Sequence, residues 1–150
     1  MIKCIKGGDI LQSDCQAIIN TVNTKGVMGK GLALLYRKKY PDMFTVYRRA
    51  CLDNKVKTGS MHLWKVSNQD KWVVNFPTKD HWRQPSQMEW IISGLQNLVE
   101  VVKEKGFTSI AIPPLGCGLG GLHWYLVKKE ILKVCEESFT DLRVEIYEPE

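Results

Sequence analysis

The chain has 150 residues, 44% of them hydrophobic, and a formal net charge of +5 at pH 7. This length supplies one hydrophobic core and leaves no room for a second, so we expect one domain over 1–150, and the positive charge favours an acidic partner such as a nucleotide or a nucleic acid. Five cysteines form an odd number without a Cys-x-x-Cys pair, which argues against a disulfide framework and a zinc ribbon and favours a reducing cytoplasm.

Strands and helices alternate along most of the chain. Apolar runs and alternating apolar positions predict strands, helical spacing and composition predict helices, and glycines or prolines separate them. In chain order we predict strands Ile2–Ile5 and Ala17–Val22, helices Gly31–Tyr40 and Pro41–Leu52, strands Ser60–Val66 and Lys71–Phe76, a helix that ends at Gly106, strand Ser109–Ile112, helix Trp124–Glu137 and strand Arg143–Tyr147. This alternation predicts an α/β fold, a three-layer α/β/α sandwich around a mixed central sheet.

The helix that ends at Gly106 has the clearest signals. Ser86, followed three residues later by Glu89, has the pattern of a capping box and predicts the start of the helix. Seven apolar residues then fall on one face at helical spacing, namely Met88, Ile91, Ile92, Leu95, Leu98, Val99 and Val102. We therefore expect an amphipathic helix whose apolar face lies in the core.

The segment IPPLGCGLGGLHW, from Ile112 to Trp124, places a glycine-rich loop between a predicted strand and a predicted helix. Gly116, Gly118 and Gly121 have the G-x-G-x-x-G spacing of a dinucleotide fingerprint, but that unit normally opens its domain, and only one helix and one strand follow here. The loop still favours an anion, because glycines let N–H groups turn towards phosphate and the next helix presents its positive end. A tight turn that needs small residues for packing is the alternative.

A second glycine-rich segment, NTKGVMGKGLA at 23–33, also separates a strand from a helix. It resembles a Walker loop at Gly29 and Lys30, but Gly31 stands where that motif needs Ser or Thr, so a kinase or NTPase is not predicted. Two glycine loops at one edge of a sheet are able to hold one extended ligand from both sides. Asp9, after the first strand, adds a carboxylate that is able to accept a hydrogen bond from an adenine amino group.

Four segments, GGDIL, AIINTVNTKGVMGKGLA, NFPTKDHW and IAIPPLGCGLGGLHW, occur in the order and spacing of a macro domain. The resemblance covers essentially the whole chain. Within the family, the chain more specifically resembles the branch that contains the DNA ADP-ribosyl glycohydrolase antitoxins and the terminal ADP-ribose protein glycohydrolases. Both groups of this branch carry a lysine at the position of Lys79. The resemblance implies binding of ADP-ribose without a cofactor, and removal of mono-ADP-ribose from a modified target, either a DNA base or a protein carboxylate.

The resemblance also implies which residues hold ADP-ribose. Asp9 is expected to bind the adenine amine, with the cap of a turn as its alternative role, and Ile10 to back the ring or donate through its backbone. The 23–31 loop is expected to surround the distal ribose, and the 114–121 loop to hold the diphosphate. The implied ligand-binding residues are Asp9, Ile10, Asn23, Gly26, Val27, Met28, Gly29, Gly31, Pro114, Leu115, Gly116, Cys117, Gly118, Leu119, Gly120 and Gly121.

Lys79 is the implied catalytic residue. A lysine amine has a pKa of about 10.4 in water, so a nucleophilic Lys79 needs burial or a nearby cation such as Lys30 or Arg83 to lower that pKa. The neutral amine is then able to attack the anomeric carbon of the distal ribose or its ring-opened aldehyde. In the alternative, a protonated Lys79 donates a hydrogen bond or charge to the leaving group. Without the family context, a loop lysine is usually a solvated charge.

Several positions bear on the substrate. The protein-directed relatives carry an aspartate near the position of Gly120, whereas GLGG is closer to the DNA-directed relatives; Leu119 departs from the polar residue expected in that branch. Trp82, between His81 and Arg83, is able to stack on a base or, alternatively, covers the edge of the core. We therefore expect single-stranded DNA as a further partner. The predicted helix pair carries five basic residues, which either extend this contact surface for nucleic acid or form a solvated face: Arg37, Lys38, Lys39, Arg48 and Arg49.

Metal and membrane sites are not predicted. His62, His81 and His123 have neither HExxH spacing nor cysteine partners. The N-terminus lacks the apolar region of a signal peptide, and no segment has the roughly 18 apolar residues of a membrane helix. We therefore expect an unprocessed cytoplasmic monomer that contacts no membrane. A non-catalytic ADP-ribose reader and a phosphatase acting on ADP-ribose 1″-phosphate are the alternative functions.

Overall fold

The computed structural model describes residues Met1 to Glu150 and contains six strands and four α-helices. The strands are β1 (Ile2–Ile5), β2 (Ala17–Val22), β3 (His62–Lys65), β4 (Trp72–Pro77), β5 (Ser109–Ile112) and β6 (Arg143–Tyr147). The helices are α1 (Gly31–Lys39), α2 (Pro41–Leu52), α3 (Met88–Lys105) and α4 (Trp124–Ser138). All predicted helices and strands are present. None of the helices is both long and apolar enough to cross a membrane.

The six strands form one sheet in the order β1-β6-β5-β2-β4-β3. All neighbours are parallel except β3, which pairs antiparallel with β4, so the predicted mixed sheet is confirmed. Parallel strands end at the same edge of a sheet, and the loops that follow them meet there. The loops after β2, β4 and β5 are therefore neighbours at this edge, and the loop after β1 lies further along it.

Helices cover both faces of the sheet, as the predicted α/β/α sandwich requires. Ile18 of β2 and Val73 of β4 lie in the core beneath α1 and α2, whereas the next residues, Ile19 and Val74, lie in the core beneath α3 and α4. All four side chains are fully buried. Successive side chains of a strand point to opposite faces, so these apolar runs fill both cores at once.

The start of α3 differs from the capping-box prediction. α3 begins at Met88, after Gln87, whose side chain makes no capping hydrogen bond. Ser86 lies instead against the loop after β5, where its backbone N–H donates to the Gly120 carbonyl at 2.9 Å and its buried hydroxyl has no partner. The capping-box prediction was wrong because Ser86 lies before the cap position and is held by this tertiary contact.

Candidate functional site

A cleft of about 380 Å³ lies at the carboxyl ends of β2, β4 and β5. This volume is within the range of small-molecule sites, which is roughly 300–1,000 Å³. The residues of the lining that the sequence and its family resemblance indicated are Asn23, Val27, Gly29, Gly31, Lys79, Trp82, Pro114, Gly116, Cys117, Gly118, Leu119 and Gly120. The sequence pattern did not indicate Thr21, Val22, Leu32, Ala33, Thr78 or Pro113, which complete the lining together with Lys30.

Four of the predicted ligand-binding residues support the glycine loops from outside the lining. The side chains of Met28 and Leu115 are buried in the core, at 1% and 0% exposure. Gly26 adopts a φ of 85° and packs against α2, and Gly121 ends a short 3-10 turn over Gly118–Gly120. These four residues shape the two loops. Because the side chains of Met28 and Leu115 are buried in the core, only the backbone of these two residues is able to contact a ligand in the cleft.

Asp9 and Ile10 follow β1, further along the same edge. Only β6 separates β1 from β5, and neighbouring strands are about 4.8 Å apart, which places this turn roughly 10 Å from the loop after β5. The Oδ1 atom of Asp9 accepts a hydrogen bond from the Leu11 N–H at 3.0 Å. The capping role is therefore present, and Oδ2 of the exposed carboxylate is left for a ligand. Ile10 is buried beneath this turn.

Asn23 organises the first glycine loop. Its Oδ1 atom accepts hydrogen bonds from the N–H groups of Lys25 at 2.9 Å and Val27 at 3.3 Å, and its Nδ2 atom donates to the Val27 carbonyl at 2.7 Å. The buried Tyr47 hydroxyl donates to the Asn23 carbonyl at 2.6 Å, and burial raises the pKa of Tyr47, which keeps this donor protonated. One Nδ2 hydrogen of Asn23 is left for a ligand.

The second glycine loop presents main-chain donors to the cleft. The N–H groups of Gly118, Leu119 and Gly120 make no hydrogen bond to a loop carbonyl or a side chain, and all three residues line the cleft. Gly116 adopts a φ of 70°, which favours glycine, and its carbonyl accepts from the Leu122 N–H at 3.0 Å. Three consecutive free N–H groups favour an anion.

The first turn of α1 adds further donors on the opposite side of the cleft. The helix begins at Gly31, and the residue before it, Lys30, makes no side-chain cap. The first N–H groups of a helix have no partner within the helix and carry its positive end. Two sets of backbone donors therefore face the same cleft from its two glycine loops.

Lys79 lies in the loop after β4, on the third side of the cleft. Its backbone N–H donates to the Val22 carbonyl at 3.4 Å, and its Nζ atom donates to the Trp82 carbonyl at 3.2 Å. Burial lowers the pKa of the Lys79 amine below its ordinary value, and no neighbouring cation contributes to this change. The positions of Lys30 and Arg83 therefore do not add to the effect of burial.

Cys117 lies in the same cleft but is not activated as a nucleophile. Burial raises the pKa of the Cys117 thiol to about 11, and its Sγ atom donates to the Leu115 carbonyl at 3.6 Å. The thiolate is the reactive form of cysteine, and a pKa above neutral pH keeps the thiol protonated. Lys79 is therefore the stronger candidate for chemistry in this cleft.

The aromatic and basic residues after Lys79 form one cluster. The Trp82 ring stacks on His81 with the ring centroids 5.2 Å apart, and the Arg83 guanidinium lies 4.6 Å from the Trp82 ring centroid. Trp82 is 38% exposed and lines the cleft, so it lies at the mouth of the cleft and does not cover the core.

The basic residues of α1 and α2 do not form a continuous track. The Arg37 guanidinium lies over the Phe44 ring at 4.1 Å, and Lys39 Nζ donates to the Leu11 carbonyl at 2.6 Å. Arg49 pairs with Asp53 at 3.3 Å. Three of the five basic residues named from the sequence thus have partners of their own, whereas Lys38 and Arg48 make no ion pair.

A known family model matches most of this chain. The family model described as Macro domain matches residues 19–131. The chain belongs to the macro domain family. A Mycobacterium tuberculosis protein named DNA ADP-ribosyl glycohydrolase is 43% identical over 144 residues, which cover 95% of this chain and 41% of that protein. The chain thus spans about two-fifths of the length of these curated relatives named DNA ADP-ribosyl glycohydrolase.

Solved structures place the macro domain fold over the whole chain. The macrodomain of Mycobacterium tuberculosis DarG superposes with a TM-score of 0.96 at 42% identity, covering 100% of this chain and 99% of that one. Thermosipho africanus DarTG, solved in complex with ADP-ribose, superposes with a TM-score of 0.90 at 35% identity, covering 98% of this chain and 42% of that one. The predicted macro domain fold is therefore confirmed.

Proposed function

We propose that this macro domain binds ADP-ribose in the cleft and hydrolyses the bond between mono-ADP-ribose and a modified DNA base. The observation that carries the proposal is the meeting of two glycine loops with free N–H groups and Lys79 around one cleft. The relatives named DNA ADP-ribosyl glycohydrolase support the reaction and the substrate. The DarTG structure in complex with ADP-ribose supports the ligand.

The ligand lies along the edge of the sheet in this proposal. The diphosphate accepts hydrogen bonds from Gly118, Leu119 and Gly120, with the positive end of α1 on the opposite side. The adenine end extends over β6 to the free Oδ2 atom of Asp9. The distal ribose lies against the first loop, where Asn23 has one unused N–H, and its anomeric carbon faces Lys79.

The chemistry centres on the Lys79 amine. Hydrolysis breaks the bond between the anomeric carbon and the target, adds water to that carbon and leaves a proton on the departing atom. In this proposal Lys79 meets the substrate as an ammonium group whose Nζ atom donates to the Trp82 carbonyl at 3.2 Å, and burial lowers the pKa of this group. The ammonium stabilises the charge that develops on the departing group. The reaction needs neither a metal ion nor a cofactor, because Lys79 supplies the positive charge.

The setting of the reaction is the cytoplasm. All five cysteines are free thiols, and four of them are buried. Free thiols persist in reducing compartments, whereas small secreted domains generally use cysteines in disulfides.

Asp9→Asn tests the adenine end of the proposed site. The asparagine keeps an oxygen for the Leu11 N–H but presents an NH₂ group to the adenine amine, so the charged acceptor is lost while the turn keeps its cap. We expect the Kd for ADP-ribose to rise roughly tenfold to 100-fold, as for loss of a hydrogen bond to a charged group. Isothermal calorimetry with ADP-ribose measures this change. An unchanged Kd contradicts the assignment of Asp9 to adenine.

A further inference from the structure

A second groove lies beside the cleft, with a volume of about 360 Å³. Its lining consists of Thr24, Lys25, Asn54, Val56, Lys57, Thr58, Asp80 and Trp90. The Thr24 N–H and hydroxyl both donate to the Asp80 carbonyl at 3.0 Å, which joins the loops after β2 and β4 into a ridge. The residues next to this ridge in sequence, Asn23 and Lys79, line the cleft on its other side.

The course of α1 and α2 places the segment 54–58 opposite the ridge, where it forms the other wall of the groove. α1 leaves the cleft at Gly31, and α2 returns, so that its last turns pack against Gly26 of the first glycine loop. A Cβ added at Gly26 would lie 3.3 Å from the Cγ atom of Arg48. The segment 54–58, which follows α2, therefore faces the ridge. The groove lies next to the cleft, and the ridge separates the two.

The lining of the groove has a net positive charge, because it contains Lys25 and Lys57 but only one carboxylate, Asp80. Lys57 makes no ion pair, and neither do Lys55 and Arg48 beside the groove. Lys25 pairs with Asp80 at 3.7 Å, but both side chains are about half exposed, at 48% and 51%. Exposed ion pairs of this kind are weak, so Lys25 is able to turn to a stronger anionic partner.

An aromatic side chain lies among these charges. Trp90, in the first turn of α3, lines the groove and is partly exposed. Sites for single-stranded nucleic acid combine a basic groove that follows the backbone with aromatic rings on which bases stack. Lys25, Lys57 and Trp90 reproduce this combination within one groove.

We propose that this groove binds the single strand that flanks the modified nucleotide, with Lys25 and Lys57 on its phosphates and Trp90 against a base. The proposal rests on the proposed function, because a modified base held at Lys79 fixes where the strand leaves the cleft. Lys79 and Asp80 are neighbours, with their Cα atoms about 3.8 Å apart, so the groove begins directly beside the proposed reaction site. The nucleotides next to the modified one therefore cross the ridge into the groove.

The double variant Lys25→Glu/Lys57→Glu tests the groove without requiring hydrolysis. The probe is a short, unmodified, fluorescent oligothymidylate, and its Kd is measured by anisotropy over a range of salt concentrations. We expect the Kd to rise at least about tenfold, and the slope of log K against log salt to decrease by roughly 1.4, because each phosphate contact on a single strand contributes about 0.7. The control variant Lys103→Glu/Lys129→Glu makes the same charge change on exposed parts of α3 and α4, and we expect a Kd within about twofold of wild type.

Equal affinities of the two double variants, or wild type that does not bind the oligonucleotide at low salt, would overturn the proposal. Competition by polyglutamate as effective as by the oligonucleotide would overturn it in favour of an acidic protein. Melting temperatures of both variants check that the fold is retained.

Turnover separates this inference from the proposed function. With ADP-ribosylated thymidine as nucleoside and within an oligonucleotide, the groove variant is expected to have a raised KM for the oligonucleotide alone. If wild type cleaves both and the variant behaves like wild type, the groove assignment is wrong and the proposed function stands. If wild type cleaves neither, the proposed function is wrong. The binding of the unmodified oligonucleotide then still tests whether the groove binds a single strand.

Discussion

Lys79→Ala is expected to abolish release of ADP-ribose while binding of free ADP-ribose changes little. The Lys79 ammonium acts on the departing group, whereas the diphosphate and adenine are held by the second glycine loop and Asp9, so catalysis and affinity rest on different groups. Loss of a positioned acid or base costs roughly 100-fold to 10,000-fold in rate. Single-turnover release of ADP-ribose and calorimetric binding measure the two effects. Equal turnover by Lys79→Ala would contradict any catalytic role of this residue.

The pH profile and Lys79→Arg define what the amine does. As an ammonium group, Lys79 loses its charge when the pH rises through its lowered pKa, so we expect kcat/KM to be level near neutral pH and to fall on the alkaline side, below the ordinary pKa of lysine. Arginine keeps the charge, and we expect Lys79→Arg to retain part of the activity lost in Lys79→Ala. A rate that rises with pH and an inactive Lys79→Arg would assign the neutral amine as nucleophile.

Gly116→Ala is expected to lower both stability and affinity for ADP-ribose. The φ of 70° strains a residue with a side chain, and the added Cβ would lie 2.8 Å from the Cδ1 atom of Leu122 and 3.1 Å from that of Ile91. Left-handed strain of about 1–2 kcal/mol and overpacking of about 1–3 kcal/mol together predict a loss of about 2–5 kcal/mol. For a chain of this length the melting temperature then falls by roughly 10 °C.

Gly118→Ala is the matched control for Gly116→Ala. It makes the same chemical change two residues away, where φ lies outside the left-handed region and an added Cβ meets no atom within 4 Å. We expect its melting temperature to stay within about 2 °C of wild type. Thermal unfolding of both variants followed by circular dichroism makes the comparison, and equal melting temperatures would contradict the role assigned to the Gly116 turn.

Local sequence patterns predicted the fold and the two glycine loops because these depend on neighbours in the chain. The buried runs of β2 and β4 and the apolar face of α3 have the periods of strands and helices, and the structure has these elements. Glycines between a strand and a helix predicted loops, and parallel pairing of the strands then brought the loops to one edge. The family resemblance added Lys79, for which the surrounding residues offer no pattern of their own.

Tertiary contacts account for what the sequence did not predict. Ser86 has the pattern of a helix cap, but its backbone N–H donates to the Gly120 carbonyl in the loop after β5. No local pattern indicates a contact between residues so far apart in sequence. The charges of Arg37 and Lys39 indicated either an extension of the nucleic-acid track or a solvated face, and in the structure these side chains contact Phe44 and the Leu11 carbonyl. The groove with Lys57 and Trp90 joins residues 33 positions apart in sequence, which only the folded chain brings together.

The most direct test is release of free ADP-ribose by wild type from two substrates side by side, an ADP-ribosylated thymine in single-stranded DNA and an ADP-ribosylated carboxylate on a protein. We predict release from the DNA substrate. Release from the protein alone would contradict the DNA assignment and place this chain with the protein-directed enzymes despite Gly120. Binding of ADP-ribose with no release from either substrate would contradict the hydrolase altogether and favour a reader, or a phosphatase if ADP-ribose 1″-phosphate loses its phosphate.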